Sequence, residues 1–238
     1  MKKKSELEWD SYILHIYQSE FDDIRTYFDK LEEAIAQENF EVRNTADQLK
    51  RKGVPEEDIV DFLDEDDYFA NIFENNTYNM ALVFLYTECE KTMKYQYRVI
   101  GDRKTKSMFK WENTISLFKE KGIDIKTNSH FKKLNEIRII NNCIKHDGYP
   151  DDELCKMDSI RWKHTEKIKI TKTELDTFYD EAKLFFDELV IEIENVNKKS
   201  LLEEEIKEVI NLCNKNLSSV SHEQQKLITD AISKLQSL

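Results

Sequence analysis

Asn135, Arg138, Asn142 and His146 follow one another at steps of three, four and four residues. At 100° per residue these four side chains fall within about an 80° arc of a helix, apart from Ile137, Ile140 and Ile144, which make an apolar stripe about 60° wide. An amide, a guanidinium and an imidazole along one stripe offer the donors and acceptors that phosphate and ribose need. Together they could cleave RNA with no metal and no cofactor. A neutral His146 would take the proton of a ribose 2′-OH, Arg138 would hold the phosphate as charge builds, and Asn142 would orient one of them. Asn141 and Lys145 stand beside them as auxiliary substrate contacts. A plainer role competes with this one. His146 lies in the last turn before Gly148, where an imidazolium can satisfy loose carbonyls and complement the helix dipole, and Asn142 could be an ordinary surface residue. Phe131 and Ile139 lie on or beside the polar stripe, so it is expected to face a cleft or a partner subunit.

The stripe needs a helix from Asn128 or Ser129, either of which can cap it, to Gly148. Around it the sequence reads as helical almost throughout. Leu7 to about Ala36 repeats apolar residues at three and four residue steps, and a shorter helix is expected over Phe40–Lys52, ended by Gly53 and Pro55. Residues 56–67 hold eight acids and read as a solvated connection. Asp67–Ile100 is apolar on several sides, as a central helix should be. Ser107–Lys121 is expected to be helical up to Gly122. After Pro150, Ile160–Trp162 and Lys167–Thr171 alternate apolar and polar residues, which predicts a small β-ribbon. Thr171 and Glu174 form a capping box ahead of a helix through Leu175–Ile193. Asn195–Ser200 reads as a polar interruption. Beyond it, Leu201–Leu217 and Gln225–Leu238, the latter behind a box at Ser221 and Gln224, suggest a helical pair. The expected division is an N-terminal helical segment over 1–66, an all-α core over 67–195 and a C-terminal appendage over 196–238.

Only 4 Gly and 2 Pro among 238 residues leave little material for tight turns, which favours long helices. The four cysteines are far apart and form no CxxC pair, against a thiolate zinc site. No apolar run approaches the roughly 20 residues of a membrane span and no signal-peptide core follows Met1, so a cytoplasmic, reducing setting is expected, with no membrane partner. The net charge of −12 speaks against nucleic acid only as an average: residues 91–172 hold 20 Lys and Arg against 11 Asp and Glu, leaving −21 on the flanks. Spread over solvated helix faces, the same charges would carry no such meaning.

The segment from Asn142 to His146, followed by Gly148, resembles the signature of the HEPN superfamily, whose ribonuclease members carry an Arg, usually followed at once by Asn, four to six residues before a His. "ALVFLYTECEKTM" is similar to the family's aromatic helix with a central Glu, here Glu88 or Glu90. "KIKITKTELDTFYDEAKLFFDEL" is similar to its strand and final helix. The position before Asn142 is Asn141 and not Arg; the nearest Arg is Arg138, about 12 Å from His146 along an ideal helix. The resemblance covers roughly residues 67–195. It implies an all-α, HEPN-like antiparallel bundle, a homodimer that could bring Arg138 of one chain toward His146 of the other, and a metal-independent endoribonuclease. It also implies a toxin or phage-defence setting, with RNA and an antitoxin or regulatory protein as partners.

Two alternatives stand beside it. The first is a non-catalytic module of the same build that binds RNA, a nucleotide or a protein. The second is a metal-dependent HD phosphohydrolase using His146–Asp147, an earlier His130 and a later Asp176 or Asp180. Asp147, Asp151 and Asp152 lack the alternation and distal Glu of a calcium loop and read as a solvated turn.

Overall fold

A computed structural model describes residues 4–100 and 110–216 together with 225, 226, 228, 229 and 232. Six α-helices make up most of it: α1 (Lys4–Arg51), α2 (Glu56–Ile100), α3 (Trp111–Glu120), α4 (Phe131–His146), α5 (Asp152–Met157) and α6 (Lys172–Asn216), with a 3-10 turn at Ile125–Thr127. The all-α expectation holds. Among the described residues no helix is long and apolar enough to cross a membrane.

α1 and α2 run antiparallel, joined at Gly53, whose φ of 78° lets Val54 and Gly53 donate to the carbonyls of Leu49 and Lys50 and close the helix. α1 is one helix where two were expected. Nothing between Ala36 and Phe40 breaks it, and Gln37 donates to Glu41 across the junction at 2.7 Å. Residues 56–67 are helix and not a connection. Glu56, Glu57 and Asp58 sit in the first turn, where the helix dipole favours acids, and Ile59 is buried. α2 therefore passes through position 67 without a break.

The core lies where α2, α4 and α6 meet the first half of α1. α1 contributes Leu14, Tyr17, Phe21, Ile24 and Phe28; α2 contributes Leu82, Leu85 and Cys89; α4 contributes Leu134, Ile137 and Ile140; and α6 contributes Phe178, Phe185, Phe186 and Leu189. Phe21 meets Tyr179 at 5.6 Å and Phe186 at 5.7 Å between ring centroids, geometries that add to the area these rings bury. Polar cross-links fix the helix registers. Tyr179 Oη donates to the Phe21 carbonyl at 2.9 Å, Arg25 meets Asp176 at 2.6 Å, and Tyr17 donates to Asp187. Beyond Phe28 toward Gly53, and from there to about Asn75, only Ala46 and Ile59 are buried; Leu31 and Ile35 still pack on the edge of the core and Glu32 pairs with Lys172 of α6, and further out the hairpin forms an arm.

The predicted β-ribbon is absent among the described residues. Residues 158–162 are folded into a turn, with the Asp158 carboxylate accepting from Ile160 and Arg161 and the Asp158 carbonyl accepting from Trp162. They cannot pair as a strand. Lys167–Thr171 is extended and does alternate, with Ile168 and Ile170 buried and Lys167 and Lys169 exposed. Its partner is an amide from α2 and not another strand. Asn79 Nδ2 donates to the Ile168 carbonyl at 3.0 Å and Asn79 Oδ1 accepts from Ile170 N–H at 3.1 Å.

The Thr171–Glu174 capping box is present: Glu174 accepts from Thr171 N–H, and Thr171 Oγ1 accepts from Glu174 N–H. α6 then continues through the expected interruption at Asn195–Ser200, where no Gly or Pro occurs, Val196 packs on the core and Lys198 pairs with Glu194. Of the predicted last helix, Gln225, Lys226, Ile228, Thr229 and Ile232 are helical, while the Ser221–Gln224 box and the remainder lie outside the described residues.

Candidate functional site

α4 starts where Asn128, itself buried, accepts from His130 N–H at 2.9 Å and donates to the Phe185 carbonyl of α6 at 3.0 Å. Glu188 accepts from both the backbone N–H and the hydroxyl of Ser129. Both side chains are thus engaged, but neither caps α4, whose N-cap position is His130 with no side-chain capping bond. The helix is then held along one face by the buried Leu134, Ile137 and Ile140, with the polar stripe beside that face.

That stripe is divided. In its first half Arg138 Nε donates to Asn135 Oδ1 at 3.0 Å and Nη2 donates to Glu153 of α5 at 2.7 Å. The guanidinium also lies 5.6 Å from the ring centroid of Trp111, which stacks on Phe131 at 5.9 Å. The Arg138 side chain is only 13% exposed. α3 and α5 therefore roof this half with residues of the same chain. The Tyr86 hydroxyl beneath it is pushed up by burial and by Glu90, with the Arg138 charge opposing.

The second half is open. Asn142, Lys145 and His146 are exposed, and no hydrogen bond or ion pair engages the His146 ring among the described residues. The capping role does not fall to the imidazole. Backbone N–H groups of Asp147 and Gly148 satisfy the Cys143 carbonyl at 3.3 and 2.9 Å, with Gly148 at a φ of 78° that L side chains avoid. Asn141 is buried against the core and donates to Asn142 Oδ1 at 3.3 Å, while its own carbonyl oxygen is left without a partner. Burial raises the Cys143 thiol pKa, although a backbone hydrogen bond to Asp151 works the other way.

So the fold keeps Asn142, Lys145 and His146 together at the C-terminal end of α4 and holds Arg138 apart, inside a cluster of its own. His130 stands at the opposite end of this helix, about 24 Å away along the axis, bonded to Glu181 at 2.8 Å. Among the described residues no three His, Cys, Asp or Glu side chains gather as a metal site would need, so His130, His146–Asp147 and Asp176 or Asp180 do not form the His–Asp constellation; Asp176 is taken up by Arg25 and Lys172.

The site includes residues that motif reading missed. Ile168 N–H donates to the Gly148 carbonyl at 2.8 Å, which lays the extended strap beside His146. Lys167 sits 5.9 Å from the Tyr149 ring centroid, and His164 Nδ1 is 2.9 Å from the Pro150 carbonyl. Lys163, His164, Lys167 and Lys169 are all exposed. The alternation of Lys167 and Lys169 was the signal that could have revealed this cationic edge. Comparison with known proteins found no matching family model, no matching curated protein and no matching solved structure.

Proposed function

We propose that this chain is a metal-independent endoribonuclease of HEPN type, acting in the cytoplasm on RNA laid across the C-terminal end of α4. The observation that carries this reading is the exposed His146 imidazole, internally unengaged, with Asn142 one turn before it and Lys145 beside it. His146 takes the proton of a ribose 2′-OH, the 2′ oxygen attacks phosphorus, and the bond to the 5′ oxygen breaks. That oxygen is protonated from solvent, leaving a 2′,3′-cyclic phosphate and a 5′-hydroxyl. Asn142 orients the ring or the ribose. Lys145 and, from the strap, Lys167 neutralise the phosphates, a contact that Arg138 makes only if it leaves Glu153. The toxin or phage-defence setting, with an antitoxin or regulatory protein as partner, is carried by the family resemblance alone.

The test is incubation of wild type, His146→Ala and Asn142→Ala with tRNA and total RNA in EDTA. Cleavage by wild type that is lost in His146→Ala at unchanged helicity is the expected result. The closure of Arg138 by Glu153 and Trp111 favours a second reading, a module of the same build that binds RNA without cutting it. Intact RNA in every sample, with binding that weakens log-linearly as salt rises, would select that reading.

A further inference from the structure

One face of α2 carries an apolar stripe that its own chain leaves bare. Phe69, Phe73, Met80 and Phe84 are 63%, 49%, 59% and 40% exposed. They fall within about a 60° arc, turned away from the buried Tyr78, Leu82 and Leu85. The four positions are symmetric about the midpoint between Asn76 and Thr77, since 69 mirrors 84 and 73 mirrors 80. The same face carries Asp58 and Glu65 before the stripe and Lys91, Lys94 and Arg98 after it. A helix face that reads acid, apolar, base is complementary to itself turned end for end.

We propose that a second copy of this chain docks here, α2 against α2 and antiparallel, on a two-fold axis passing beside Asn76. An isologous contact of this kind sets Phe69 against Phe84 and Phe73 against Met80, and places Asp58 of one copy between Lys94 and Arg98 of the other. Asn76 of each copy meets the other near the axis, a polar pair inside an apolar seam that fixes the register. The four apolar side chains offer about 400 Å² per copy, near half of the ~800 Å² of a standard interface. The charged ends add to this, as does Tyr27, 40% exposed and in ring contact with Phe84 at 5.3 Å. Lys91 enters already paired with Glu20 and Glu88, and Lys94 with Glu90, so the basic end joins an existing charge network. An unrelated amphipathic helix would need the stripe but not the charge gradient, which is why the occupant is a second copy. The interface is remote from His146 in sequence and stands whether or not the ribonuclease reading does.

Light scattering on the eluting full-length protein should give twice 28.4 kDa for wild type and 28.4 kDa for the double variant F69E/F73E, whose far-UV circular dichroism should be unchanged. Asp58→Arg and Arg98→Glu should each raise the dimer Kd by about tenfold, and the two together should restore it to near the wild-type value. In Asn76→Cys, a short bismaleimide should link two copies that wild type, with its own four cysteines, leaves unlinked. A wild type that stays monomeric at high micromolar concentration overturns the proposal. So does a dimer indifferent to F69E/F73E or one that the charge swap fails to rescue.

Discussion

The two halves of the α4 stripe each pair an asparagine with a nitrogen-bearing side chain, Arg138 in one and His146 in the other, and fare oppositely. Asn135 and Arg138 are roofed by Trp111 and Glu153 and spend their donors inside the chain, whereas Asn142 and His146, one and two turns further on, reach solvent. A polar side chain on a helix becomes structure or site according to what the neighbouring elements bring over it. Here α3 and α5 cover the first half and stop before the second.

The sharpest way to break that contrast lies beneath the stripe. Ile140 is fully buried, so Ile140→Ala should cost about 2–5 kcal/mol in urea unfolding, while His146→Ala should stay within about 0.5 kcal/mol of wild type. A large loss in His146→Ala would mean that the open end is structural after all. Next in size is the closed end. Arg138→Ala removes a largely covered cation from Glu153, Asn135 and the Trp111 face and should cost about 1–2 kcal/mol. Glu153→Ala, acting on a partner 55% exposed, should cost less than about 1 kcal/mol.

The stripe itself was legible, because a 3.6-residue period needs only local sequence. Its division was not. Trp111 and Glu153 reach Arg138 from separate helices, and no spacing within α4 announces them. Helix existence is likewise easier to read than helix ends: α1 and α6 each run through a polar stretch that reads as a break in sequence, since charged residues without Gly or Pro remain good helix formers. The ribbon failed for a related reason. The alternation of Ile168 and Ile170 reports a half-buried extended segment correctly, but periodicity cannot say whether the pairing groups belong to a strand or to a side chain.

The smallest expected effect concerns the strap that borders the open end. Arg161 holds Glu174 with two bonds, of 2.6 and 3.1 Å, and its guanidinium reaches the Lys169 carbonyl. Burial on its own raises the Glu174 pKa, but the Arg161 bond and the Thr171 N–H and hydroxyl outweigh it and leave the carboxyl below its ordinary value. Its contribution is therefore complete above the unfolded carboxyl's pKa of about 4.3 and is lost as pH falls through the lower folded value. Urea midpoints taken from pH 7 down to pH 3 should drop more steeply for wild type than for Glu174→Gln. Parallel curves would show that the strap is fastened elsewhere.

The Asn79 side chain gives the strap a partner that chemistry can revoke. Hydrolysis of that single amide to Asp would leave the size of the group nearly unchanged but set a carboxylate oxygen against the Ile168 carbonyl, replacing attraction with repulsion at a spacing of 3.0 Å. Ageing of one side chain in the middle of α2 could thus peel a lysine-bearing edge away from an imidazole carried on a different helix.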